Sequence, residues 1–204
     1  MAGFMGTERN GGVASLRGLE INDAERLAHL ANYKELAHNI APVGSFPYPY
    51  TVEHAIGLIE YTIAAATSGT AFHFGVQNEK GDLIGVVAIT KIDQNNNSCE
   101  IGYWLGKDYH GKGYGRYAVS LIVSFAFKEL KVHKVSAISF KDNKPSIRIL
   151  EKIGFKREGV LRESAKSADG KYSDEVIMSM LEKDFEKSKY SRMDLNSNLR
   201  LDRR

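Results

Sequence analysis

Residues 103–116 read Tyr-Trp-Leu-Gly-Lys-Asp-Tyr-His-Gly-Lys-Gly-Tyr-Gly-Arg, and the order of the patterns within them decides the fold. An apolar strand runs into a glycine-rich turn, and a helix with an apolar stripe follows. A helix N-terminus leaves backbone N–H groups free, and glycines let a phosphate approach the backbone closely. We therefore expect a phosphate-bearing ligand here, bound by His110, Gly111, Lys112, Gly113, Tyr114, Gly115 and Arg116.

Two common phosphate motifs do not fit this turn. Its glycines are spaced G-x-G-x-G at 111–115, whereas the dinucleotide fingerprint requires G-x-G-x-x-G. A P-loop needs Ser or Thr after its Gly-Lys pair, but Lys112 is followed by Gly113. From spacing alone, a turn that only caps a helix stays an alternative.

Composition indicates one soluble globular domain in a chain of 204 residues, of which 43% are hydrophobic and 26% charged. A net charge of +3 does not by itself argue for nucleic acid or a membrane. The single cysteine, Cys99, excludes an internal disulfide and a cysteine-rich metal site, and it fits a reducing, cytoplasmic location. The apolar run 117–127 is too short to span a bilayer.

Strand-like and helix-like patterns alternate along the chain, which favours an α+β domain around a mostly antiparallel sheet. Pro42, Pro47 and Pro49 make the stretch 42–50 an extended loop. We expect this domain over residues 13–185, between a disordered leader at 1–12 and a basic flexible tail at 186–204. Helices are predicted after a cap at 22–23, over 51–66, after the turn at 111–115, and over 146–152. The helix over 51–66 is expected to present one apolar side, made of Ile56, Ile59, Ile63 and Ala66.

Residues 143–155 read Asn-Lys-Pro-Ser-Ile-Arg-Ile-Leu-Glu-Lys-Ile-Gly-Phe, and together with the glycine-rich turn they resemble the GCN5-related N-acetyltransferases (GNAT). The resemblance implies the GNAT fold, a single mixed and mostly antiparallel sheet of six to seven strands flanked by about four helices. It also implies acetyl-CoA as co-substrate, without a metal, and Asn143 as a contact of the pantetheine arm. Two positions depart from the family: His110 replaces the usual Gln or Arg, and Leu150 replaces a tyrosine that serves many members as the acid.

Within this superfamily the chain is most similar to the Rim-type enzymes, which acetylate the N-termini of ribosomal proteins. The likeness covers about Ser15 to Phe185. It implies a protein N-terminus as the acceptor, but the subgroup also contains enzymes that act on small amines. Dimers are common in the subgroup, so a homodimer is one possible oligomeric state. The segments that carry it are residues 45–49 before Thr51, 100–105, 109–114 and 170–174.

The resemblance implies roles for individual residues. Glu100 is expected to take the proton of the amine, and a solvated carboxylate or a lysine partner is the alternative. Backbone N–H groups of Tyr103, Trp104 and Leu105 are expected to meet the oxyanion. Ser146 is the candidate that assists the leaving thiolate, and a role only in the first turn of its helix is the alternative. The predicted acceptor mouth comprises Phe46, Tyr48, His73 and Tyr172, with structural roles open for His73 and Tyr172.

Three functions follow from these expectations. The first is acetylation of a protein or peptide N-terminus. The second is acetylation of a small amine such as a polyamine, amino acid or aminoglycoside; a polycation would need a carboxylate cluster, and the acidic residues Glu20, Asp23, Glu53 and Glu60 are scattered. The third is a non-catalytic acetyl-CoA-binding module or ribosome-associated factor. No membrane partner is expected, and nucleic acid is a partner only under the third.

Overall fold

Seven strands form one sheet in the computed structural model, which describes residues 14–40, 46–166 and 170–193. Their order in the sheet is β1-β2-β3-β4-β5-β7-β6, and only β4 and β5 are parallel. The predicted mixed, mostly antiparallel sheet is therefore confirmed. The strands are β1 Ser15–Arg17, β2 Phe72–Gln77, β3 Leu83–Asp93, β4 Ser98–Leu105, β5 Lys134–Phe140, β6 Lys156–Lys166 and β7 Tyr172–Leu181.

In the part of the chain that the structure describes, six α-helices flank this sheet, where the sequence predicts about four. The two that sequence analysis missed, α2 and α6, have six residues each and are too short to show a helical period. The α+β class is confirmed. The helices are α1 Ala24–Ala31, α2 Lys34–Asn39, α3 Val52–Ser68, α4 Tyr114–Lys128, α5 Lys144–Ile153 and α6 Glu182–Lys187.

The two faces of the sheet carry separate apolar cores. One core packs α4 and α5 against the sheet, and it buries almost every side chain of α4 between 117 and 127. The other packs α1 and α3 on the opposite face, around residues such as Leu27, Ile59 and Trp104. The apolar run 117–127 is thus a buried core helix. Within the described residues, no helix is both long and apolar enough to cross a membrane.

Helix α3 begins and ends where the sequence predicts, but the side that it buries is different. Thr51 caps its start by accepting from the backbone N–H of His54, and Gly69, at φ 69°, ends it in the left-handed region. The expected apolar side is wrong, because Ile63 is 59% exposed. Small side chains let the helix lie close to the sheet, so the buried positions are Ala55, Ile59, Thr62 and Ala65.

Strands β4 and β5 pair over only three residues, from Ser98–Lys134 to Glu100–Ser136. Beyond Glu100 both strands continue, and no further ladder pair joins them in the described chain. On its other edge β4 stays paired with β3 as far as Leu105. The sheet therefore opens between β4 and β5, with half of it on either side of the gap.

The tail predicted to be flexible over 186–204 differs from the structure at residues 186–193, of which 186 and 187 belong to α6. A 3-10 helix at Lys189–Arg192 buries Tyr190 in the core beside α4, and the Ser124 hydroxyl donates to the Tyr190 carbonyl at 3.2 Å. A lone tyrosine between charged residues has no periodicity, so sequence analysis could not detect this contact. Residues 1–12 and 194–204, the rest of the predicted leader and tail, lie outside the described residues.

Tyr190→Ala should lower the free energy of unfolding by roughly 3 kcal/mol, because it leaves a cavity where a large aromatic ring was buried. Urea unfolding followed by circular dichroism measures the change. Arg192→Ala, at an exposed position of the same 3-10 helix, is the control and should change stability little. Equal stability of the two variants would show that this segment does not belong to the cooperative fold.

Candidate functional site

The gap between β4 and β5 opens into a cavity of about 930 Å³. Seven of the residues predicted to act on a ligand or substrate line it, which brings together the candidate base, the candidate acid and part of the acceptor mouth. They are Phe46, His73, Glu100, Tyr103, Trp104, Asn143 and Ser146. Tyr48, Leu105, Tyr172 and the turn at 110–116 do not line it.

Strand register divides the lining between the two faces of the sheet, because alternate side chains point to opposite faces. Glu100, Gly102 and Trp104 lie on the α1 and α3 face, where Trp104 joins that core. Ile101 and Tyr103 lie on the α4 and α5 face and belong to the other core. The cavity therefore runs through the sheet, so that one molecule can reach another from the opposite side.

Glu100 lines the cavity and is also the partner of a lysine. Both carboxylate oxygens lie 3.1 Å from the Lys91 ammonium, and the Glu100 side chain is 23% exposed. Lys91 sits at an irregularity of β3 with φ 47°, and its side chain is 71% exposed. Glu100 therefore has both features: it forms an ion pair with a lysine, which was the alternative, and it lines the cavity.

Tyr103 joins β4 to α5 through its hydroxyl, a contact that sequence analysis missed. The oxygen lies 2.9 Å from the Ser146 hydroxyl and 3.1 Å from the Ser146 carbonyl. Burial raises the pKa of Tyr103 to about 12, so the phenol stays protonated at neutral pH. Two hydroxyl groups thus meet at the cavity wall, from residues 43 positions apart in the sequence.

Asn143 caps α5, since its side-chain oxygen accepts from the Ser146 backbone N–H at 3.3 Å. The backbone N–H of Ser146 therefore takes part in the cap at the first turn of α5. The Ser146 hydroxyl is hydrogen-bonded to Tyr103. Because the cap uses only the amide oxygen, the amide nitrogen of Asn143 remains a donor at the cavity wall.

The glycine-rich turn leads from the end of β4 into α4. Gly111 and Gly113 have φ angles of 74° and 90°, which side chains rarely adopt, and no side chain caps α4. Within the described residues the first N–H groups of the helix have no hydrogen-bond acceptor, which leaves them available to an anion. Gly115 has a different role: a Cβ there would lie 3.1 Å from Ile149, so this glycine lets α4 approach α5.

His110 is used within the protein. Its Nε2 lies 3.0 Å from the Leu105 carbonyl, which also accepts from the Tyr33 hydroxyl at 2.7 Å. A carbonyl only accepts, so the ring proton sits on Nε2 and the histidine folds the turn back onto the strand end. In this geometry the side chain of His110, which replaces Gln or Arg, holds the turn in place. The backbone N–H groups of the turn can then contact a ligand.

Two buried polar atoms at the cavity lack a partner among the described residues. They are the Ser139 hydroxyl on β5 and Nδ1 of His73 on β2. Burial lowers the pKa of His73, which keeps the imidazole neutral, and its ring packs edge-on against Tyr61. Buried polar groups are normally satisfied, so these atoms fit a cavity that receives a polar ligand with amide groups.

The acceptor mouth is only partly as predicted. Phe46 stacks on Tyr50 at 4.8 Å between ring centres and meets Trp104 edge-on at 6.0 Å, which forms an aromatic wall. Tyr48 is 46% exposed and Tyr172 is 65% exposed, and both lie outside the lining. These two tyrosines were predicted to line the acceptor mouth only from their positions in a loop and a hairpin, and neither side chain lines the cavity. Tyr172 instead stacks with the Lys166 ammonium, 5.5 Å from its ring centre.

Comparisons with known proteins agree with this geometry. A family model described as an acetyltransferase (GNAT) domain matches residues 15–156. The probable N-acetyltransferase YjcK of Bacillus subtilis is 33% identical over 174 residues, which cover 84% of this chain and 95% of that protein. The [ribosomal protein uS5]-alanine N-acetyltransferase of Escherichia coli is 26% identical over 170 residues, 80% of this chain and 84% of that protein.

Solved structures share the fold. RimJ of Mycobacterium smegmatis, in complex with CoA-disulfide, superposes with a TM-score of 0.82 at 23% identity, covering 91% of this chain and 90% of that one. Spermidine N-acetyltransferase of Vibrio cholerae, with CoA and spermine, gives 0.72 at 24% identity, covering 84% and 97%. Since the family model spans residues 15–156, which is most of the chain, this protein belongs to the GNAT family and is an acetyl-CoA-dependent acyltransferase.

Proposed function

We propose that this protein acetylates the N-terminal α-amine of a protein, such as a ribosomal protein. The observation that carries the proposal is the small excess of negative charge in the cavity. Its carboxylates, Glu53, Glu100 and Glu175, are accompanied by Lys91 and Lys166, and Lys91 is bound directly to Glu100. An acceptor with one amine fits such a lining better than a polycation does. The relative that acts on ribosomal protein uS5 supports the same choice.

A small polyamine is the second candidate and finds less support. Of the four scattered acidic residues considered above, only Glu53 lines the cavity. Asp23 is held by Arg17 at 2.6 Å. The fold itself does not choose between acceptors, since a spermidine acetyltransferase has it too. A non-catalytic binding module is disfavoured by the carboxylate and the hydroxyl pair that meet in the cavity.

Glu100 is the group that can take the proton of the incoming amine, directly or through water. Its present partner, Lys91, lies mostly in solvent, and exposed ion pairs of this kind contribute about 0–1 kcal/mol. The arriving amine can therefore displace the lysine at small cost. Of the backbone N–H groups of residues 103–105, those that point away from β3, on the edge where the pairing with β5 has ended, are the donors for charge developing on the carbonyl oxygen.

The Tyr103 and Ser146 hydroxyls are suited to stabilise the departing sulfur by a hydrogen bond. Tyr103 donates its proton to the Ser146 carbonyl, so the Ser146 hydroxyl can either donate to the Tyr103 oxygen or turn its own proton into the cavity. A phenol with a pKa of about 12 is a weaker acid than a thiol, whose ordinary pKa is about 8.5. The pair therefore holds negative charge on sulfur by hydrogen bonding and does not need to transfer the proton fully.

The acceptor class is tested by thiol release from acetyl-CoA with two panels, peptides that differ in their first two residues and a set of small amines. We expect turnover with peptides and little with polyamines. Turnover confined to polyamines or other small amines would replace the proposed acceptor. Binding of acetyl-CoA without turnover on either panel would favour the non-catalytic alternative.

Glu100→Gln should lower turnover by about 10² to 10⁴, the usual contribution of a general base, while acetyl-CoA still binds. Thiol release measures the first quantity and calorimetric titration the second. Glu60→Gln, at an exposed position of α3 outside the cavity lining, is the matched control. Unchanged turnover in Glu100→Gln would remove this residue from the mechanism.

Tyr103→Phe removes one hydroxyl and keeps the ring. We expect kcat to fall by about two- to tenfold, the equivalent of one hydrogen bond, with the KM for acetyl-CoA unchanged. Ser146→Ala should give a similar loss, and the double variant should lose little more, because both changes break one interaction. Losses that multiply in the double variant would show that the two hydroxyls act separately.

A further inference from the structure

Gly57 lies in the interior of α3 without a structural need for glycine. Apart from proline, glycine is the least favourable residue at such a position. A Cβ built on Gly57 would meet no atom within 4 Å. At Gly85 and Gly106, by contrast, a Cβ would overlap neighbouring atoms, so those glycines are required by packing. Gly57 therefore makes α3 less stable than alanine would, and the space that a side chain would fill stays empty.

The space beside Gly57 belongs to the cavity, and strands β3 and β4 also line that cavity with small residues. Gly57 lines the cavity together with Gly102 of β4, where a Cβ again would meet nothing within 4 Å. Ala88, the β3 partner of Gly102, adds only a methyl group. The helix and the sheet thus each contribute a glycine to the lining of the same cavity.

A polar group borders the opening. His73 pairs with Ala88 across β2 and β3, so it continues the row that contains Gly102. Its Nδ1 is the buried atom described above that lacks a partner in the described chain. An empty packing defect would not need a polar atom at its edge, whereas a ligand pocket would.

The position of the opening relative to Glu100 indicates what it holds. Glu100 and Gly102 lie two residues apart on one face of β4, about 7 Å by the rise of a strand. That separation suits a side chain whose α-amine approaches Glu100. Resting on the proposed function, we propose that the opening over Gly57 and Gly102 receives the side chain of the acceptor's first residue, and that Gly57 sets its size limit.

Gly57→Ala and Gly57→Leu test this proposal on peptides that differ only in their first residue, from glycine through alanine and serine to leucine and phenylalanine. For the large first residues, Gly57→Leu should lower kcat/KM tenfold or more, since one excess methylene in a filled pocket already has an effect of this order. A glycine-first peptide should lose at most about threefold by the same reasoning. The KM for acetyl-CoA should not change.

Stability gives a second measurement and guards against a folding defect. Gly57→Ala should raise Tm by about 2–4 °C, because it improves the helix without filling the pocket. Ala64→Leu, an exposed position of α3 outside the cavity lining, adds the same kind of side chain elsewhere and should leave peptide selectivity unchanged.

Three results would overturn the assignment. Gly57→Leu could lose the same factor on every peptide, lose nothing on any, or raise the KM for acetyl-CoA, which would give the space to the acyl donor. Each of these three results can be interpreted only if the wild-type protein acetylates peptides. A wild type that acetylates none of them would overturn the proposed function, and this inference with it, so the two failures are distinguishable.

Discussion

The early end of the β4–β5 pairing is the constraint on which the rest of the structure depends. Each ladder pair stabilises a sheet by satisfying backbone hydrogen-bonding groups. Here the pairing of β4 with β5 stops after three residues, although both strands continue. Backbone groups left at that edge must find partners elsewhere. The neighbouring elements keep the gap open, since β3 holds one of its edges, β7 holds the other, and α5 begins just past the end of β5.

Each face of the sheet contributes a different part of the chemistry to this gap. On the α4 and α5 face lie the free helix N-terminus, Asn143 and the Tyr103–Ser146 hydroxyl pair. On the α1 and α3 face lie Glu100, the aromatic wall and the small residues beneath α3. Because side chains alternate along a strand, Glu100 and Tyr103 face opposite ways on β4 although only two residues separate them.

Sequence patterns predicted the sheet, four helices and seven of the residues that line the cavity, because these depend on local periodicity and on two specific motifs. They failed where a contact joins distant parts of the chain. Nothing near Tyr103 in the sequence indicates that its hydroxyl meets Ser146, and nothing near Tyr190 indicates that it is buried. The exposed Tyr172 shows the opposite error, because turn position does not fix where a side chain points.

An opening that passes through the sheet has a consequence for the order of events. When donor and acceptor enter from opposite faces, neither blocks the other, and both can be present together. Direct transfer then needs no acyl-enzyme, and the chain's single thiol is poorly suited to form one: Cys99 is buried, and burial raises its pKa to about 12. From such an architecture we expect sequential kinetics, with a ternary complex before any product leaves.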